Sequence, residues 1–504
     1  MILNTMLDAI KNELNITTTE NGDIAFKSTL NNNLDLFYNM GAMRYNESKL
    51  IDYFREAYEE NPLLAIANLL HLRNIRGGMG ERKSFKLILT NLINQNIEAD
   101  FKHIELILNS IEKYGRWEDI VEVIETNNKD MKALAIEIVE SQLNKDIFNL
   151  DNNNPVSLLA KWLPSENASS DKTKRLAKLW RKALKMSPKK YRKTLSALRD
   201  RISIIETNLT EKDYTFDYSH IPSRAFKKYN NAFRTNDNER FYAFMEQVSN
   251  GEKSLKVDNL FPYEIIKMLN KDSDTAEELW NTYKIPKDNK NTLVIRDGSA
   301  SMLTEVEGNT TALDITDSLT LLFAEHITGA FKDKFITFSS NPELVEVRGT
   351  LSERVRHLKR YNDWSNTDLA KTFDLILSAS KKITDPAEYI DRIVIVSDME
   401  FDNARGKYYD WHTDTSTEAY DKSTHDRYKK LFELEGIPFP EIVYWNVISR
   451  NGTVPTTDFD NVKLVSGWSK FILDVIISDD TPDAETLMCA TLEPYLKHIR
   501  ENLN

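Results

Sequence analysis

The chain holds one cysteine, Cys489, in 504 residues. That scarcity excludes an internal disulfide framework and a cysteine-built zinc cage, and it fits a reducing compartment. Long apolar runs are missing too: none approaches the roughly 20 residues that a membrane-spanning helix needs, so no membrane association is expected. The opening stretch MILNTMLDAIKNELNI mixes acidic residues into its apolar pattern and lacks a basic segment ahead of an apolar one. It does not read as a signal peptide, and a cytoplasmic protein is the expectation. Positive charge is in deficit as well, with 66 Lys and Arg against 78 Asp and Glu and a net charge of -12. A chain of this balance does not coat nucleic acid through bulk charge, because phosphate binding depends on clustered cations. No DNA partner is expected.

What is present falls into two parts. At this length a single hydrophobic core has stopped growing, so two or more domains are the default. From Thr5 to about Tyr283 the apolar residues recur at helical spacing, as in LLAIANLLHL (Leu63–Leu72), FKLILTNLI (Phe85–Ile93) and HIELILNSI (His103–Ile111). The breaks are short and polar, and strand signals are nearly absent. Residues 1–285 therefore read as an α-solenoid of HEAT-like helical repeats, although no clean sequence repeat is present.

A polar stretch from Tyr283 to Lys290, with Pro286 inside it, reads as a linker. Beyond it, residues 291–504 alternate strands such as NTLVIRD (Asn291–Asp297), KFITFS (Lys334–Ser339) and DRIVIVSDM (Asp391–Met399) with amphipathic helices. Strands apolar on both faces, spaced by helices, predict a largely parallel, Rossmann-like sheet covered on both sides. The fold class expected is thus α followed by α/β.

In such a sheet, ligands bind beyond the carboxyl ends of the strands at a topological switch point. Asp297, Ser299 and Ser301 lie at the end of the first strand, Asp398 ends the strand RIVIVSD, and Thr367 lies in the loop that opens the helix between them. All five offer oxygen and none is His or Cys, a donor set for a hard cation: Mg²⁺, with Mn²⁺ or Ca²⁺ as alternatives. Two carboxylates and three hydroxyls leave such a cation short of ligands and able to accept a carboxylate from a protein partner. A D-x-S-x-S run alone is also an ordinary capped strand-to-helix turn. With Thr367 and Asp398 in place, this half resembles the von Willebrand factor A family and its metal-ion-dependent adhesion site. The resemblance implies that Ser299, Ser301 and Thr367 touch the metal and that Asp297 and Asp398 act mainly through waters. Gly298 and Ala300 depart from it, standing where an apolar residue and a glycine are usual.

Catalytic groups are not expected. No activated nucleophile or positioned base is in evidence. His326 falls on an apolar helix face, and His412 and His425 flank a polar loop.

The helical half carries the cations. Between Asp171 and Ser203 lie thirteen Lys or Arg against two Asp, a local net of +11. Lys172, Lys174, Arg175, Arg181, Lys189, Lys190, Arg192 and Lys193 are the candidate phosphate contacts, with Trp180 and Tyr191 interleaved as candidate stacking residues. A charge run is also commonly just a solvated face. A second candidate is the glycine-rich turn RNIRGGMGERK, where Arg73, Arg76, Arg82 and Lys83 surround three glycines that let a backbone approach a ligand. Arg116 and Lys161 adjoin Trp117 and Trp162, which read as core aromatics.

A helical module with an RGGxGER-like turn ahead of an A domain resembles the Ro autoantigen and its bacterial relatives, which share the TROVE module. Closer wording belongs to a bacterial and viral family of uncharacterised function. It is matched at YGRWEDI (Tyr114–Ile120), LLAKWLPSENASS (Leu158–Ser170), YRKTLSALR (Tyr191–Arg199), IPSRAF (Ile221–Phe226), VSDMEFD (Val396–Asp402), PEIVYWNV (Pro440–Val447) and LVSGWS (Leu464–Ser469). The resemblance implies a ring of helical repeats closed by the A domain, with small structured RNA on a basic outer surface and RNA ends in a central hole. The expectation is a non-enzymatic ribonucleoprotein component holding small non-coding or damaged RNA. A metal-dependent protein adaptor without RNA is the alternative, and a metal-dependent hydrolase ranks third.

Overall fold

The computed structural model describes residues 6–202, 205–257, 259–362, 368–402, 423–478 and 482–503. Its contacts divide the chain into two compact units, Met1–Asn68 with Leu260–Pro494, and Leu69–Asn259 with Tyr495–Asn504.

The first unit contains all the described strands: β1 (Ile16–Thr18), β2 (Ile24–Phe26), β3 (Thr292–Asp297), β4 (Glu305–Glu307), β5 (Thr310–Thr311), β6 (Lys334–Phe338), β7 (Leu344–Glu346), β8 (Arg392–Ser397), β9 (Glu441–Asn446) and β10 (Val462–Ser466). Six of them form one sheet in the order β10-β9-β8-β3-β6-β7. Every neighbouring pair is parallel except β6 with β7. β3, β8 and β9 are buried at every residue, which explains the consecutive apolar residues at their centres. The helix Ala312–His326 follows β3 and is itself almost wholly buried. The strand order reverses between β3 and β8, so a crevice opens at the carboxyl ends of these two strands.

Two stretches outside the sheet are anchored to it. Asp288, in the polar segment ahead of β3, is 1% exposed; it accepts from Thr292 Oγ1 at 2.6 Å and pairs with Arg392 at 3.2 Å. Arg392 also holds Glu441, so the polar segment is pinned by a buried ion network. At the other end of the sequence, β1 and β2 form a hairpin, and Phe26 exchanges two 2.8 Å backbone hydrogen bonds with Val454. The helix Asn32–Asn39, buried from Asn33 onward, packs beside β10.

Among the described residues the regular elements of the second unit are all helices. Its longer helices are Lys83–Ile93, Phe101–Asn109, Lys129–Asp151, Asp171–Ala183, Pro188–Ile202, Ser223–Asn236 and Asn238–Ser249. Their starts are set by side-chain caps: Asn128 accepts from the amides of Asp130 and Met131, and Ser170 accepts from that of Thr173. Tyr218, Phe226, Phe233, Phe241 and Phe244 form an aromatic core with ring centroids 5.2 to 6.4 Å apart.

Candidate functional site

Four of the five expected metal ligands meet in the crevice; the fifth, Thr367, lies outside the described residues, as does His412. Asp297 is fully buried, accepting from Ser397 Oγ at 2.6 Å and from the Ser299 amide at 2.9 Å. The Ser299 and Ser301 hydroxyls stand 2.9 Å apart. Asp398 is 2% exposed and accepts from the Glu400 amide at 3.2 Å. Burial foremost, and then Asp398, pushes the Asp297 carboxyl upward from its ordinary value. Asp398 is also raised by burial, against hydrogen bonds from Ser301, Arg450 and Glu400. Two buried carboxylates that resist ionisation side by side, with two hydroxyls beside them, are chemically suited to a hard divalent cation. Among the described residues no group of three or more His, Cys, Asp or Glu could hold a metal, so any cation here rests on two carboxylates plus hydroxyls.

The departure at Gly298 has a steric cause. A Cβ there would lie 2.8 Å from Arg296 Nη1 and 3.3 Å from the Tyr361 carbonyl oxygen. Arg296 is fully buried and cannot yield, because it pairs with Asp317 at 2.7 Å and donates to Tyr361 O and Asn362 Oδ1. Met399, immediately after Asp398, adopts φ 64°, a backbone state that non-glycine residues rarely hold away from constrained sites.

Sequence reasoning missed the cation already beside the carboxylates. Arg450 donates to Asp398 Oδ2 at 2.7 Å and pairs through its other nitrogen with Glu20 at 2.9 Å. The Glu20 amide donates to Glu400 at 2.7 Å, and Asn451 donates to both Glu20 and Glu400. Because Arg450 follows β9 at the same sheet edge, the strand-end rule could have flagged it. Glu20 carries no such signal, being separated from its partners by hundreds of residues. His326 and His425 are structural: His326 bonds to Leu322 O of its own helix, and His425 is buried against Tyr444.

In the helical unit the candidates separate into two groups. Arg73 is 2% exposed and forks onto Asp119 at 2.8 and 3.3 Å, so its charge is spent internally and is not offered to phosphate. Arg82 and Arg116 share Glu118 with it, at 3.2 and 4.0 Å, and Arg116 lies over Trp162. Arg76 bonds to the Lys113 carbonyl. The glycine turn is drawn inward: the Met79, Gly80 and Glu81 amides donate to His71, Asn74 and Leu72. A Cβ on Gly78 would lie 2.3 Å from His71 O. These glycines close a helix-helix turn. Lys83 opens the next helix and is exposed.

Arg175 and Arg181 pair with Glu125 and Glu166, and Lys174 with Asp171. By contrast, Lys161, Lys172, Lys189, Lys190, Arg192 and Lys193 are exposed, and none has an acidic partner among the described residues. The two candidate stacking residues are corrected: Trp180 and Tyr191 are buried and donate to Val121 O and Pro164 O. Each is the apolar stripe of an otherwise cationic helix. Trp117 is likewise buried.

Residues 291–497 match a domain of unknown function (DUF7788), and residues 19–124 and 180–302 match another (DUF2828). The chain is 26% identical over 525 residues to an uncharacterized protein of Acanthamoeba polyphaga mimivirus, covering 96% of this chain and 88% of the relative. A crystal structure of the Ro (RSR) protein of Deinococcus radiodurans superposes with a TM-score of 0.45 at 12% identity, covering 88% of this chain and 93% of that one. No helix among the described residues is long and apolar enough to cross a membrane.

Proposed function

We propose that this chain is a non-enzymatic RNA-binding protein of the Ro-like kind that its sequence resembles, gripping small structured RNA through phosphates on the helices Asp171–Ala183 and Pro188–Ile202. The observation that carries this reading is the exposed, unneutralised lysine face of those helices within a chain of net charge -12. Burial of Trp180 and Tyr191 leaves that face with charge and no stacking platform, which favours backbone contact over base readout. Binding of a small structured RNA, followed by fluorescence anisotropy across a salt series, tests it. The reading expects a steep log-log decline of affinity with salt, and a salt-independent or absent interaction overturns it.

The A-type cation site is the second element of the reading. Asp297, Ser299, Ser301 and Asp398, completed by Thr367, would hold Mg²⁺, Mn²⁺ or Ca²⁺ and present it to a partner's carboxylate. That arrangement alone also supports an adaptor without RNA, which the anisotropy series separates. A hydrolase finds little support, since His326 and His425 are committed to structural bonds and His357 packs edge-on against Tyr361.

A further inference from the structure

We infer that Arg450 is a built-in competitor for the cation at Asp398, and that Glu20 is the carboxylate that takes Arg450 when a metal enters. The inference rests on the reading of the crevice as a cation site and adds residues to it that lie outside the A-type ligand pattern.

A guanidinium is a planar fork that can hold two carboxylates at once. Arg450 does so here, reaching Asp398 Oδ2 at 2.7 Å with Nη2 and Glu20 Oε2 at 2.9 Å with Nη1. Its side chain is 32% exposed, whereas that of Asp398 is 1% exposed, so the arginine has a way out toward solvent and the aspartate does not. With Arg450 in place, one of the two buried carboxylates already has its counter-charge, and a divalent ion arriving beside it meets a fixed positive charge. Loading therefore requires the Arg450–Asp398 bond to open.

The departing guanidinium needs a receiver, and Glu20 is positioned as one. Glu20 is held from three sides. Its amide donates to Glu400 Oε2, Asn451 donates to its Oε1 at 3.0 Å, and its hairpin is tied down where Thr19 and Asn21 donate to the carbonyls of Phe401 and Glu400. The same loop that carries Asp398 thus carries the anchor of the receiver, and the β1–β2 hairpin becomes part of the control of the crevice. Glu20 acts on the metal only through Arg450.

Mn²⁺ binding to the chelator-treated full chain, measured by isothermal titration with electron paramagnetic resonance as a second readout, tests this on folded variants. Arg450→Gln is expected to bind Mn²⁺ about tenfold more tightly than the natural chain, within the usual range of coupling between sites. Glu20→Gln is expected to bind about threefold more weakly, because Arg450 then has only Asp398. The double variant should match Arg450→Gln alone. Should Arg450→Gln fail to fold, Arg450→Lys serves, since an ammonium cannot fork across both carboxylates; a few-fold tightening is expected. If the natural chain binds Mn²⁺ and removing the guanidinium leaves affinity equal or lower, the competition is overturned while the cation site stands. If no variant binds Mn²⁺, the cation reading itself fails and takes this inference with it.

Discussion

The two charged regions of this protein obey opposite rules. At the ends of β3 and β8, charges are buried and countered: Asp398 is held by Arg450, Arg296 by Asp317, and Arg392 by Asp288 and Glu441. On the helices Asp171–Ala183 and Pro188–Ile202 the lysines stand in water with little to oppose them. Burying a charge is expensive, so an arrangement of buried charges persists only if the fold compensates it, and its geometry is informative residue by residue. Exposed lysines cost folding almost nothing, and only their collective field carries meaning. The strand-end region can thus be probed by single substitutions, and the basic face only by several together.

The largest expected effect breaks the simple division, because the helical unit also buries an ionisable group. His71 is buried against Tyr495, and burial lowers its pKa from 6.5 to about 4. The unfolded chain then takes up the proton first. Stability is unaffected by this group above about pH 6.5 and is lost as pH falls toward about 4, by roughly 3 kcal/mol in full. Acid unfolding followed by circular dichroism should show that limb in the natural chain and lose it in His71→Phe; coincident profiles would refute it.

Next comes the basic face. Reversing Lys189, Lys190, Arg192 and Lys193 together to Glu should weaken RNA binding by about 100-fold at low salt and flatten the salt slope. An unchanged affinity would leave that face a solvated surface and remove the main contrast between the regions. Gly78→Ala should cost the helical unit about 2 kcal/mol in urea unfolding, since the new methyl meets the His71 carbonyl. Full tolerance would reopen the turn as a ligand-approaching loop. Smallest is Asp398→Asn. Mn²⁺ affinity should fall about tenfold while the metal-free thermal midpoint holds or rises, because a buried carboxylate beside Asp297 is relieved. A lower midpoint would count against the electrostatic account of the crevice.

Much of the sheet and of the candidate site was legible in the linear sequence. Consecutive apolar residues, LVI in TLVIRD and IVIV in RIVIVS, announce strands buried on both faces, and an oxygen-bearing side chain at each strand end points to the crevice. The aromatic residues of the basic segment misled, because spacing alone does not say which way a helix faces. Trp180 and Tyr191 lie on the buried stripes of their helices, each beside a neighbour three or more positions away that is also apolar, and that stripe was the available signal.

Local pattern by itself determined most of the element types and the change from helical to alternating chain near residue 290, since each depends on periodicity within one strand or helix. It missed the hairpin of β1 and β2, whose strands are three residues each, inside a stretch expected to be helical, and the meeting of Asp297 and Asp398 follows from the parallel pairing of β3 with β8. Only the tertiary structure decided which charges are spent and which are free. It placed residues 1–68 in the unit of the sheet, set Arg450 on Asp398 and Glu20 on Arg450, and turned Arg73 inward to Asp119. The reason is physical: an ion pair is worth making in a buried place only where packing brings both partners together, and packing joins positions hundreds of residues apart that no local window contains.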